Sequence, residues 1–524
     1  MTTQPDIILL VLDTQRADRL GVYGHRAAVT PHLDNFASQA ALFEQAIAPA
    51  QWTIPSHASL FTGLYPTAHQ VTQSNQSLGP DLHHMAEVLD AAGYETVGFC
   101  NNPLVGILNN GFKRGFQTFY NYGGAIPSLP RSSSSLPPPL NRLGEAYTQF
   151  LRRISYPVQN FFGQSDLAFR LSLNAWFTPL WSKMANFKGQ NERSVKDLVH
   201  FLQQREKQAH AKPLFLFINL METHLPFWPP GEFIDRLLPY FRSSKEARTI
   251  MRTWNRAAYR WAAPLAEPLS ELESRVLNDM YDAEVAYQDH YLGDLFAALT
   301  GRERQQNTLT IITGDHGDAL GDHQQMGHAF VAYQELVQVP LIMHWPQHIP
   351  AGVRLDTPVS TRRIYHTVLD AAGHLPNHLP RLNPAEVHQL TLLQNIQGND
   401  PENGTAYAEV YPPLNLVKAI AQREPELLRS FRSGSLRRAL VRHDLKLIQV
   451  DNRPEELFHL PDDPTELHNV LASRPGESAQ LNRELNRISN QVERQREQMT
   501  AGDIIDLDAD ENLQQRLRSL GYIE

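Results

Sequence analysis

Several short stretches of this chain end in side chains able to hold a cation or attack an ester. Residues 7–12 are six consecutive apolar residues, and Asp13 follows them directly. Such a run predicts a strand buried on both faces with a carboxylate at its C-terminal end. A second, β-branched run from Thr308 to Thr313 stops at Gly314 and presents Asp315 and His316. A third, Leu214–Leu220, leads to His224, and Thr53 opens the segment Thr53-Ile54-Pro55-Ser56-His57. In open α/β sheets, ligands gather beyond the carboxyl ends of the strands. Asp13, Thr53, Asp315 and His316 are therefore expected along one edge. Two carboxylates, one imidazole and one hydroxyl form a donor set for one divalent metal ion. The mixed nitrogen and oxygen set favours zinc or manganese, with calcium possible. A threonine hydroxyl is a weak nucleophile at neutral pH, and a divalent cation is a standard means of activating it.

The run Thr53-Ile54-Pro55-Ser56-His57-Ala58-Ser59-Leu60-Phe61-Thr62-Gly63 resembles the signature C/S-x-P-S-R-x-x-x-L-T-G of the sulfatase family, with threonine in the nucleophile position. Further segments extend the resemblance. They are Gly93-Tyr94-Glu95-Thr96, His224-Leu225-Pro226-Phe227, and the stretch Gly314–Pro340 with Asp315-His316-Gly317-Asp318 and Gly327-His328. Lys446-Leu447-Ile448 and Glu456-Leu457-Phe458-His459-Leu460 resemble the family's C-terminal elements. The resemblance implies membership of the alkaline phosphatase superfamily. It implies an α/β fold, a doubly wound sheet with helices on both faces, and a smaller C-terminal α+β subdomain. It further implies a metal-dependent hydrolase of sulfate or phosphate esters. Asp13, Thr53, Asp315 and His316 would be its metal ligands. Thr53, His224 and His328 would be catalytic, and Asn101 and His57 would bind substrate.

The departures from the family pattern narrow that expectation. In sulfatases a cysteine or serine is converted to formylglycine, and threonine is not a substrate for that conversion. Thr14 stands where a second aspartate is usual, and His316 where asparagine is often found. His57 replaces the signature arginine, Asn101 occupies a lysine position, and His328 stands in place of a later lysine. Losing these fixed positive charges favours a phosphate-type mono- or diester over sulfate. The alternatives are a phosphoethanolamine- or phosphoglycerol-type transferase and a non-catalytic binding protein of the same fold. The expected partner is a small-molecule, lipid-linked or carbohydrate-linked anionic ester.

The bulk properties agree with such an enzyme. The chain has 524 residues and a formal net charge of −9, which argues against nucleic acid as a partner. A single cysteine, Cys100, excludes an internal disulfide. No basic leader precedes Ile7, and no apolar stretch reaches the length of a transmembrane segment, so a cytoplasmic location is expected. Residues 1–375 are expected to form the catalytic domain, with insertions at about 126–190 and 228–270. A small-sheet subdomain is expected over 376–480 and a helical tail over 481–524. Helices are expected over residues 31–43, 191–206, 271–299 and 361–372. The first insertion carries an aromatic-rich stretch over 143–190. The second carries a basic stripe of Arg242, Lys245, Arg248, Arg252, Arg256 and Arg260.

Overall fold

The computed structural model describes residues 4–123, 190–208, 212–255, 258–373 and 383–505. The aromatic stretch of the first insertion and Arg256 lie outside the described residues, as does the tail beyond 505. The central sheet has eight strands: β1 Asp6–Leu12, β2 Ala41–Phe43, β3 Glu95–Cys100, β4 Thr118–Asn121, β5 Leu214–Leu220, β6 Thr308–Gly314, β7 Leu341–His344 and β8 Val353–Leu355. Their order is β8-β2-β7-β6-β1-β5-β3-β4. β1 lies between β5 and β6 and is parallel to both. β7 runs antiparallel to β6 and β2, so the sheet is mixed.

Both faces of the sheet are covered, which explains why β1 is apolar from Ile7 to Leu12. Ile7, Leu9 and Val11 join one core with residues of helix α2 Thr53–Thr62 and helix α5 Ile364–Ala372. Ile8, Leu10 and Leu12 join the other core. That second core is built with helices α1 Pro31–Ala37, α3 Asn191–Glu206 and α4 Glu271–Thr300. Alternate residues of one strand thus feed two opposite cores, as the two-residue period of a strand requires.

Two expected elements are corrected. The helix expected over residues 31–43 ends at Ala37, and Ala41–Phe43 instead forms β2 between β7 and β8. The helix expected from Thr361 begins with a 3-10 turn, Thr361–Arg363, before α5. In the second insertion, Lys245, Arg248 and Arg252 share the helix Lys245–Asn255, and Arg242 is paired with Asp235.

The C-terminal region forms a four-stranded antiparallel sheet from Thr405–Val410, Arg437–Arg442, Leu445–Val450 and Arg453–His459. The helix Pro475–Glu497 covers one face through Leu481, Leu485 and Val492. The other face packs on Ala329–Ala332 and Leu336, which follow β6 in the chain. A buried ion pair, Lys446 to Glu466 at 2.7 Å, sits at this junction. The Lys446 ammonium also donates to Gln334 Oε1 at 3.0 Å. His323 closes the same junction. Its Nδ1 lies 2.9 Å from Glu335 Oε1 and its Nε2 lies 3.1 Å from the Glu466 carbonyl oxygen.

Burial pulls the His323 pKa down, but the Glu335 carboxylate and the Glu466 carbonyl outweigh it and raise it from 6.5 to about 9. A raised imidazole pKa stabilises the fold fully below the unfolded value, and that stability is lost as pH rises through the folded value. Wild-type protein is therefore expected to lose at most about 3 kcal/mol of unfolding free energy between pH 6.5 and pH 9 through this pair. Urea unfolding across that range, beside His323→Gln, checks it. The variant is expected to show a flatter pH dependence, and equal slopes would rule the pair out as its source.

Candidate active site

The carboxyl ends of β1 and β6 deliver the acidic pair. Asp13 follows β1, continues its ladder through its amide to the Leu220 carbonyl at 2.8 Å, and is fully buried. Asp315 and His316 follow β6 and are likewise fully buried. The turn after β6 is tight. The Gly317 amide donates to the Leu336 carbonyl at 2.7 Å, and a Cβ there would lie 2.0 Å from the Glu335 carbonyl oxygen. Only glycine fits that approach.

Thr14 shapes the turn after β1. Its φ is 58°, a left-handed conformation that costs a β-branched residue about 1–2 kcal/mol. In return its amide donates to Asp315 Oδ1 at 3.2 Å, linking the two turns. The Thr14 and Thr223 hydroxyls both donate to the Asp13 carbonyl at 2.6 Å.

Asp13, Asp315 and His316 offer ligand atoms that all lie within 4.8 Å of one another. The side chains fit a cation. Asp13 Oδ1 and Asp315 Oδ2 are buried and make no hydrogen bond. Buried polar atoms in native proteins are nearly always paired, so Asp13 Oδ1 and Asp315 Oδ2, the latter meeting only the imidazole nitrogens of His316 at 3.3 Å and His57 at 3.4 Å, mark a place for positive charge. His316 Nδ1 donates to the Gly317 carbonyl at 2.8 Å, which leaves the lone pair on Nε2. Asp13 Oδ2 accepts from Asn102 Nδ2 at 2.6 Å.

The electrostatics favour a positive charge at this place. Burial and the neighbouring Asp315 carboxylate push the Asp13 pKa well up. Burial alone would raise Asp315 as well, but the His316 and His57 imidazoles and the Thr14 amide hold it at about 2. Burial, with help from His328, lowers His316 to about 4 against the pull of Asp315, so its ring is neutral near pH 7.

Thr53 is the first residue of α2 and is fully buried. Trp52 occupies the N-cap position and makes no side-chain capping hydrogen bond. Ser56 instead donates to the Asp315 carbonyl at 2.6 Å, tying the helix to the acidic turn. Thr53 Oγ1 lies 3.3 Å from His316 Nε2. The first turn of a helix presents amide groups without intrahelical partners and a partial positive charge. Thr53 thus stands where an anion is attracted.

His57 lies one turn further along α2. Its Nδ1 lies 3.0 Å from the Thr53 carbonyl oxygen and 3.4 Å from Asp315 Oδ2, and its Nε2 lies 3.4 Å from Asn219 Nδ2. His224 and His328 complete an imidazole group. Their ring centroids are 5.2 Å apart, and the His328 centroid is 4.4 Å from that of His316.

The structure therefore gathers Asp13, Thr53, His57, His224, Asp315, His316 and His328. Asn101 is turned elsewhere. Its carboxamide donates to Ser194 Oγ at 2.8 Å and to the Asn219 carbonyl at 3.1 Å. The neighbouring Asn102 reaches the cluster instead, and β3 followed by a turn decides which of two adjacent asparagines does so. Sequence reasoning also passed over Thr223 and Asn219. Their only signal was proximity to His224 on the β5 segment.

Comparison with known proteins follows the same lines. The family profile described as Sulfatase matches residues 5–374. The chain is 24% identical over 477 residues to the uncharacterized sulfatase YidJ of Escherichia coli K12, covering 89% of this chain and 83% of that one. It is 23% identical over 383 residues to an arylsulfatase of Clostridium perfringens, covering 70% and 75%. Among solved structures, the phosphonate monoester hydrolase of Agrobacterium radiobacter superposes with a TM-score of 0.63 at 19% identity, covering 93% of this chain and 96% of that one. With a buried acidic pair and imidazole at the sheet edge and a profile match over most of its length, the chain belongs to the sulfatase family of ester hydrolases.

Proposed function

We propose that the protein hydrolyses phosphate-type esters, mono- or diesters, with Thr53 as nucleophile beside a divalent cation held by Asp13, Asp315 and His316. The observation that carries this reading is the position of Thr53 Oγ1, at the start of a helix and 3.3 Å from the neutral His316 Nε2. A bound divalent cation supplies positive charge against the ester oxygens and acidifies the threonine hydroxyl. The chain's own residues do the rest. The α2 amides orient the anionic group, and the helix start holds Thr53 for in-line attack. His224 and His328 carry protons to and from the ester and water oxygens.

Phosphate is favoured over sulfate because neutral or titratable groups, Asn101 and His328, stand where the family pattern has lysines. Likeness in fold to a phosphonate monoester hydrolase supports the same choice. The test is turnover of four p-nitrophenyl esters (sulfate, phosphate, phosphodiester and phenylphosphonate) with zinc, manganese or calcium added. Turnover of a phosphorus ester with zinc or manganese is expected. Turnover of the sulfate alone would overturn the phosphate reading. Transfer to an added alcohol with no release to water would indicate a transferase.

A further inference from the structure

A threonine carries one oxygen on its Cβ. An aldehyde hydrate carries two on one carbon, so an ester on one oxygen can be expelled by the other. An ester on Thr53 has no such exit. It must be cleaved by water attacking phosphorus, and that water needs a base.

The short ribbon after the acidic turn provides one. Ala319 pairs with Gly327 and Leu320 with Met326 in antiparallel register. The next opposed positions outward are Asp318 and His328, and their side chains meet. Asp318 Oδ1 lies 2.9 Å from His328 Nδ1. Asp318 is fully buried and His328 is 9% exposed. A carboxylate at Nδ1 holds the ring proton there and places the lone pair on Nε2, the arrangement by which an imidazole serves as a base. The same ring packs 4.4 Å from His316, whose Nε2 is 3.3 Å from Thr53 Oγ1.

Resting on the assignment of Thr53 as nucleophile, we propose that Asp318 and His328 form a carboxylate–imidazole pair that activates the water cleaving the covalent Thr53 ester. In that step the water oxygen bonds to phosphorus as the bond from phosphorus to Thr53 Oγ1 breaks. One water proton passes to His328 Nε2 and then to the departing Thr53 oxygen. The other stays on the released acid, so no further reactant is consumed. His328 is a catalytic residue in this step. Asp318 acts through it as a positioning residue.

The pair is tested by rapid quench and mass spectrometry of the full chain with added zinc or manganese. The probe is whichever of the three p-nitrophenyl phosphorus esters the wild type turns over fastest. p-Nitrophenolate leaves without needing a proton, so the first step is insulated from the pair. His328→Gln and Asp318→Asn are each expected to release a burst of about one equivalent and then turn over about 10²- to 10³-fold more slowly. The adduct is expected to remain on Thr53. Added imidazole is expected to speed the slow phase of His328→Ala, which a loss of folding would not allow. Wild-type steady turnover in both variants overturns the proposal, as does loss of turnover with no burst and no rescue. If Thr53→Ala keeps wild-type turnover, or no phosphorus ester is turned over by the wild type, the nucleophile assignment fails and the pair's role falls with it.

Discussion

Zinc or manganese added to metal-free protein is expected to raise its unfolding midpoint, and Asp315→Asn is expected to abolish both that rise and turnover. Asp13 and Asp315 are wholly buried, and each carries a carboxylate oxygen without a hydrogen bond. Two like charges at this separation oppose one another, which is why burial and Asp315 together push the Asp13 pKa well up. A cation that binds only the folded chain adds about 2.7 kcal/mol of stability at a hundredfold excess over its dissociation constant. Asp315→Asn removes the most strongly ionised ligand, so the midpoint should stay fixed and turnover should fall by about 10³-fold or more. Asp13→Asn gives a second, less obvious outcome. Without metal it keeps an acceptor for Asn102 and removes a buried like charge, so it should be no less stable than wild type. Thermal unfolding with and without metal checks all three proteins. A metal-induced rise that survives in Asp315→Asn would place the cation elsewhere.

Thr53→Ala is expected to lower turnover by about 10³-fold or more while leaving the fold and the metal-induced rise in place. The substitution removes one hydroxyl 3.3 Å from an imidazole nitrogen, a hydrogen bond worth about 1 kcal/mol of stability. The helix start does not depend on that hydroxyl, because no side chain caps it. Thr53→Ser retains an oxygen at the same place and should remain active within about tenfold to a hundredfold of wild type. Steady-state kinetics with the best aryl ester separates the outcomes. An active Thr53→Ala protein would show that water, or another residue, attacks first.

Much of this architecture is legible in the sequence because the central strands are apolar on both faces. Ile7–Leu12 is wholly apolar, Leu214–Leu220 is broken only by Asn219, and the threonines of Thr308–Thr313 are β-branched and buried. Each strand leads to a residue of the candidate site. The stretch 31–43 reads as one helix because Leu33, Phe36, Ala37 and Ala40 share a helical period, yet the residues after Ala40 gain more by pairing with β7 and β8. Local pattern cannot show those distant partners. The same holds within the site. Asp315, His316 and Thr53 can be named from motifs. The choice of Asn102 over Asn101 depends on the turn after β3, and the left-handed conformation at Thr14 depends on Asp315, 301 residues away. The pairing of Asp318 with His328 depends on the register of a two-residue ribbon.

The most direct measurement is the mass of peptides from protein quenched in acid during turnover of a phosphorus ester. A phosphoryl increment on the peptide containing Thr53, absent from Thr53→Ala, is the predicted result. An increment on another residue, or turnover with Thr53 never modified in any variant, would contradict the threonine nucleophile.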